Sequence, residues 1–494
     1  MSVSDAATAT RTARQPGLVI AVLVSAGFTV SLMTTLVIPL LPRFPELLDA
    51  SYADVTWLVT GSLIAGAVAT PMVTRLADLY GKRRLLLVSL GLMTAGSALG
   101  AVAPGLGVLI VARVLQGASV GVIAIGMSAM RDLLPPRKLV GGIALMSSSL
   151  GFGGAIGLPL TGIVAQFADW RWLFAGTAVL GAGLVVATLL VVPESPERAP
   201  GTFDLRGAVL LAVVLLCLLL GISKGGEWGW GSGRVLGLFG AAVVLAPVWG
   251  WLSLRSPSPL IDLRVAARPS VLLTNAISLF VSFALYVGFL VTPQILQASA
   301  GTGYGLALPA AIAGLALIPF GATMTLFSPV SAAVTRRFGP HVTLIAGGAV
   351  LALGCLGMVP LPGAVVLIVA CSAVSAIGTS LAFSAIPILV MSGVPATETA
   401  AANGVNSLVR MLGSLGCSAF AAAVASTLTV TVGRRTVPSS GALVLTFVVA
   451  AVAAALATAL AAVLLRTSRH RRATVVDAAV QPAATPGVAP LAAG

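Results

Sequence analysis

The chain has 494 residues, 58% of them hydrophobic and 9% charged, with a mean hydropathy of +1.07. These values exclude a soluble globular protein and fit one that crosses a membrane many times. The formal charge of +14 does not mark a nucleic-acid binder, because the basic residues fall in short clusters between apolar runs and form no continuous patch.

A membrane helix needs roughly 20 mostly apolar residues. Runs of that kind predict spans at 17–39, 57–74, 85–103, 106–127, 139–165, 172–192, 206–223, 235–253, 270–296, 307–334, 341–359, 363–394, 403–431 and 442–465. Lys and Arg beside spans are retained in the cytoplasm. With the N-terminus inside, 20 basic residues lie in cytoplasmic gaps or tails and 6 in outer gaps, leaving Arg113 and Arg410 within spans. The bias places both termini in the cytoplasm and requires an even number of spans. Four cysteines (217, 355, 371 and 417) all lie in apolar segments without metal-ligand spacing and read as small core residues. The tail after Arg472, rich in Ala, Pro and Val, reads as disordered.

The chain repeats itself. Pro71 and Pro329, Gly81 and Gly339, Pro104 and Pro362, and Gly105 and Gly363 each lie 258 residues apart. Transporters are often built from repeats with the substrate site between them. Six spans with short loops need roughly 170–190 residues, so the offset leaves room for two additional helices. The expected plan is a tail (1–16), a six-helix bundle (17–192), a linker with two transmembrane helices (193–269), a second six-helix bundle (270–465) and a tail (466–494).

Several features carry chemistry. Asp78 stands beside Lys82, Arg83 and Arg84 at a cytoplasmic turn opened by Gly81, where a carboxylate pairs with cations or a neighbouring helix end. Arg113 lies some seven residues into its span, and Gln116 shares its face; an ionisable group there either snorkels toward the outer surface or faces a cavity or a partner, and in the second case is expected to hold a proton-responsive hydrogen bond or an anionic substrate group. Gly153, Gly157 and Gly162, with Pro159, suit a bent helix pressed against its neighbour. In the ninth span Asn275, Ser278, Ser282 and Tyr286, continued by Phe289, form one helical face; Ser372, Ser375, Thr379 and Phe383 do so in the twelfth. Lipid cannot satisfy such groups, so these faces are expected to line a substrate cavity or to bond neighbouring helices.

Taken together, these segments resemble the major facilitator superfamily. Leu76–Arg84 resembles its loop signature between the second and third spans, and Arg113–Gly117 its fourth-span signature. Gly151–Gly162 is similar to the fifth-span motif of its antiporters. Leu32-Met33-Thr34-Thr35, running to Leu41-Pro42, and Pro259–Arg264 resemble its fourteen-span drug:proton antiporter branch. The resemblance implies an all-α, two-bundle exporter of drugs or natural products, with the first, fourth, ninth and twelfth spans lining the cavity. Thr34 and Thr35 join the cavity candidates on that ground. At the first-span position where the branch commonly carries Asp, this chain has Met33, and no carboxylate lies at a span centre. The proton-site candidates are Glu46 and Asp54, at the outer ends of the first two spans.

The partners expected are membrane lipid, an amphipathic small molecule and protons, with no cofactor, no metal and no nucleic acid, and a monomer suffices. A carrier of lipid or small metabolites without proton antiport is the alternative. Catalysis within the membrane would need His, Asp or a metal cluster, and the two histidines, His341 and His470, lie in a loop and a tail.

Overall fold

The computed structural model describes residues 15–480 except 42, 362, 433 and 434. The expectations for the tails at 1–14 and 481–494 and for Pro42 and Pro362 lie outside the described residues; the tail expected to be disordered after Arg472 instead continues the last helix to Val480. Fourteen helices are long and apolar enough to cross a membrane: α1 Pro16–Leu40, α2 Trp57–Tyr80, α3 Lys82–Ala101, α4 Leu106–Leu133, α5 Pro136–Val164, α6 Arg171–Val191, α7 Leu205–Trp228, α8 Gly233–Arg255, α9 Pro269–Gln297, α10 Ile312–Phe338, α11 Pro340–Met358, α12 Val365–Ser392, α13 Ala396–Ala425 and α14 Ser440–Thr467. Helices dominate because each one satisfies its own backbone polar groups, which lipid cannot do.

Two apolar cores form. One gathers α1–α6 around Leu23, Met33, Phe44, Leu58, Leu86, Met93 and Phe174. The other gathers α9–α14 around Val287, Phe320, Leu351, Phe383 and Phe447. A third, smaller cluster brings Leu211, Leu215 and Leu219 of α7 against Ala67 of α2 and Leu408 of α13. Of the two additional helices α7 therefore attaches along a seam that both bundles share, and α8 packs on the outside of α7. At the outer end of α7 the buried Lys224 donates to Glu227 Oε2 (2.7 Å) and Thr56 Oγ1 (2.8 Å).

The repeat is visible in the backbone. Gly81, between α2 and α3, has φ +114°, and Gly339, between α10 and α11, has φ +84°, a region that side chains disfavour. A Cβ on Gly81 would also stand 2.8–3.0 Å from the Glu194 carboxylate.

Two segments depart from the sequence reading. The tenth span begins at 312 rather than 307 and is interrupted, with separate helices at Ala310–Leu315, Ile318–Leu326 and Ser328–Phe338. Pro319 and Pro329 stand at the second positions of the last two, in the first turn, where a missing N–H costs nothing, whereas inside a continuous helix it removes a bond. The thirteenth span ends near residue 425 rather than 431, because Thr429–Val432 (β1) pairs antiparallel with Arg435–Pro438 (β2), Thr429 opposite Pro438. The Thr-Val alternation is a period-2 strand signal that reads as apolar length in a hydropathy scan. Tyr304 donates to the Pro438 carbonyl at 2.9 Å and ties this hairpin to the outer end of α9.

Candidate functional site

The cytoplasmic ends of the two bundles meet at Asp78. It is fully buried, and its carboxylate accepts from the backbone N–H groups of Ala400 (3.1 Å) and Ala401 (2.7 Å). These are unpaired donors of the helix Thr399–Thr427, so an N-bundle carboxylate caps a C-bundle helix at the positive end of its dipole. Lys82, 1% exposed, lies 4.0 Å from Asp78, pairs with Asp132 and donates to Thr399 Oγ1 at 3.3 Å. Ser195 and Asp132 share a hydrogen bond, as do Ser128 and Thr399. Arg75 pairs with Glu398 at 3.7 Å, and Arg131 donates to the Met391 carbonyl of α12 at 2.8 Å. Arg83 works within the N-bundle: its N–H reaches Glu194 (3.1 Å) and its guanidinium reaches the Leu189 carbonyl. Arg84 is exposed.

At mid-depth, further links cross between the bundles. Ser147 and Ser148 of α5 donate to the carbonyls of Phe383 (2.7 Å) and Met324 (3.1 Å).

Arg113 is 1% exposed and does not reach for the outer surface. Its Nε donates to the Leu58 carbonyl (2.9 Å), Nη1 to the Met33 carbonyl (2.9 Å) and Gln116 Oε1 (2.8 Å), and Nη2 to Ser62 Oγ (3.1 Å). Gln116 passes the chain on to Ser97 at 2.9 Å. The arginine thus pins α1, α2, α3 and α4 together. With four of its five N–H donors on protein oxygens and the side chain 1% exposed, it is turned away from a substrate anion in this state.

Gly153 and Gly157 press α5 onto α1. A Cβ at 153 would lie 2.6 Å from the Phe28 carbonyl, and one at 157 would overlap the Thr35 hydroxyl. Pro159 is buried. Gly162 departs from the expected seam, since nothing stands within 4 Å of a Cβ there; the helix has rotated it off the contact line.

The cavity candidates divide. Thr34 and Thr35 return their hydroxyls to their own helix, at Ser31 O and Leu32 O, and Thr35 lies in the α1–α5 seam. Asn275 accepts from Asn406 of α13 at 2.9 Å, and Ser282 packs where Gly413 leaves room. Ser375 fills the space left by Gly354 of α11, and Thr379 donates to the Ser375 carbonyl at 2.8 Å. Phe289 stacks edge-on to Phe320 at 4.9 Å inside the C-bundle, with Tyr286 half-buried in the same core. Of these polar groups Asn275 bonds to a neighbouring helix, whereas the Ser278 and Ser282 hydroxyls are buried without a hydrogen-bond partner among the described residues, and Phe289, Ser372 and Ser375 line a small cavity inside the C-bundle. Of the set, Phe383 sits at the seam between bundles. Glu46 and Asp54 are exposed, and Asp54 is held by Ser51 at 2.6 Å, so neither is placed in a closed passage.

One residue that the sequence marked only as a cation within a span joins the site. Arg410 sits at the midpoint of α13, its guanidinium 5.0 Å from the Phe383 ring centroid. Thr399, Asn403, Ser407, Arg410 and Ser414 share one helical face, a polar row of the same kind as those in the ninth and twelfth spans.

A family model described as Major Facilitator Superfamily matches residues 23–418. The multidrug resistance protein Stp of Mycobacterium tuberculosis (strain CDC 1551 / Oshkosh) is 29% identical over 72% of this chain and 66% of its own length. The tetracenomycin C resistance and export protein of Streptomyces glaucescens is 31% identical over 67% of this chain and 60% of its own. The lincomycin resistance protein of Streptomyces lincolnensis is 29% identical over 63% of each. The chain thus matches slightly under two thirds of the length of these relatives. The crystal structure of the human organic anion transporter MFSD10 (TETRAN) superposes with TM-score 0.64, covering 90% of this chain and 99% of that one at 14% identity, which establishes likeness of fold. With fourteen spans, two packed bundles and a family match along most of its length, the chain belongs to the Major Facilitator Superfamily.

Proposed function

We propose that the protein is a secondary active exporter of amphipathic drugs, antibiotics or related natural products at the plasma membrane. The bundles at 17–192 and 270–465 rock about one passage, and 193–269 supplies two linking helices, of which α7 lies along the seam. The observation that carries the reading is Asp78 capping the N-terminus of α13 across the bundle boundary. This contact exists only while the cytoplasmic side is shut, so it acts as the latch of an outward-facing state. Lys82, Asp132 and Thr399 reinforce it. Protonation of Asp78 would remove the charge that holds the helix end and release the latch, which gives protons a route into the cycle other than Glu46 or Asp54. Relatives named for multidrug, tetracenomycin and lincomycin resistance support drug-like cargo.

A carrier without proton antiport is the second reading. It is favoured by one observation: every carboxylate within the spans lies within two residues of a span end (Asp78, Asp132, Glu227, Glu398). The test is a resistance profile across chemically diverse antibiotics for hosts with wild type, Asp78→Asn or Arg113→Ala, with and without a protonophore. Resistance that appears with wild type, falls in both variants and collapses with the proton gradient is expected. Susceptibility equal to the empty host removes drug export, and efflux that persists without the gradient removes proton exchange.

A further inference from the structure

Two cations lie deep within the spans, and their surroundings differ. Arg113 gives four of its five N–H donors to protein oxygens, as described above. Arg410 lies eleven residues into the helix Thr399–Thr427, about 16 Å from its cytoplasmic start at 1.5 Å per residue. That is the middle of the membrane, where an ionised side chain is costly and ordinarily has an opposite charge beside it. Arg410 has no ion pair among the described residues. Its one hydrogen bond runs from Nη2 to Ser407 Oγ at 3.4 Å, near the limit of such a bond. Its other neighbour is the Phe383 ring, at 5.0 Å, which supports a guanidinium but cannot neutralise it.

Its position gives that cation a use. Phe383 belongs to α12, and its carbonyl receives Ser147 of α5, so the Arg410–Phe383 pair stands on the seam between bundles. Thr399, on the same face of α13 one span-half below, is part of the latch. Arg410 is half-buried, above the closed cytoplasmic end. Among the described residues neither mid-span cation is paired with a carboxylate.

We propose that Arg410 is the specificity-determining residue for an acidic group on the transported molecule. An amphipathic organic anion, such as an aryl carboxylate or an ionised phenol, pairs with the free edge of the guanidinium, and its apolar body lies along the seam. A carboxylate matches the fork of N–H donors two at a time, which a neutral amide cannot do. Binding supplies the counter-charge that the protein omits, so the loaded passage is neutral at mid-membrane. This inference rests on the exporter reading for its biological meaning, but its test does not.

The test uses the full-length protein in lipid nanodiscs and the fluorescence of 1-pyrenebutyrate, its neutral amide and the matching amine. Wild type should bind the carboxylate about 10- to 100-fold tighter than the amide, as expected for charge-assisted hydrogen bonds, and the amine most weakly. Arg410→Gln should bring the carboxylate-to-amide ratio close to one, and Arg410→Lys should keep part of it. Gel filtration and thermal melting establish that each variant is folded; if Arg410→Gln is not, Phe383→Leu and Arg410→Lys carry the comparison. A wild-type ratio near one, or a ratio unchanged in both arginine variants, overturns the proposal. So does loss of the ratio when gluconate buffer is replaced by chloride or phosphate, since the occupant is then an inorganic counter-ion. Loss of the ratio when anionic lipid replaces neutral lipid in the nanodisc assigns the site to a headgroup and likewise overturns it. Failure of export would appear separately: tight carboxylate binding with no efflux of acidic compounds sinks the exporter reading and leaves this site standing.

Discussion

Asp78→Asn isolates the latch, because it preserves shape while removing charge. The wild-type carboxylate accepts two backbone hydrogen bonds, from Ala400 and Ala401, at the start of a helix of 29 residues. A hydrogen bond to a charged group contributes about 1.5–3 kcal/mol, and a carboxylate at a helix N-terminus about 0.3–1 kcal/mol more. Asparagine keeps one acceptor oxygen and turns an NH₂ toward the second backbone donor. The loss is then on the order of 3 kcal/mol. At 1.4 kcal/mol per factor of ten, that shifts the closed-to-open ratio of the cytoplasmic side about 100-fold, taking a 99:1 population to near parity. Spin labels at positions 84 and 337, exposed residues of the two bundles, report the opening as a second, longer distance in pulsed EPR after the four native cysteines are replaced. Asp78→Glu should restore part of the short distance. An unaltered distance distribution in a folded Asp78→Asn protein would refute the latch.

Three other outcomes follow from the packing. Gly157→Val should lower the melting temperature through overpacking worth about 1–3 kcal/mol, since a Cβ there overlaps Thr35, whereas Gly162→Val, with open space around it, should melt with wild type; the reverse order would show that α5 is rotated. Asn275→Ala and Asn406→Ala should not be additive in a thermal double-mutant cycle, with coupling of about 0.5–1.5 kcal/mol for the hydrogen bond they share; additivity would return Asn275 to the substrate passage. Glu46→Gln with Asp54→Asn should leave the pH dependence of efflux unchanged, because both carboxylates are exposed; a displaced pH profile would make one of them a coupling site.

Mean hydropathy and Lys/Arg bias are properties of the chain read one residue at a time, and they carried the span number and the orientation, while Pro and Gly at a constant offset carried the repeat. The tight glycines at 81 and 339 were legible for the same reason: positive φ is a local demand, and the residue type answers it. The hairpin at 429–438 was signalled locally too, by Thr-Val alternation, but hydropathy averaging hid it. What each polar face meets was not local. Asn275 and Ser375 have the spacing of cavity residues, yet they face Asn406 and Gly354. Helix rotation is set by the sum of many packing contacts, and a lipid-averse face is equally content with a neighbour or a passage. Arg113 and Arg410 look alike in sequence as single cations in apolar runs. Only the folded arrangement makes one a clamp and leaves the other with a single long bond, because the carbonyls of Met33 and Leu58 come from helices up to 80 residues away. The same holds for Asp78, whose partners lie 322 and 323 residues along the chain: its charge was readable, and the helix end it caps was decided by the docking of the two bundles.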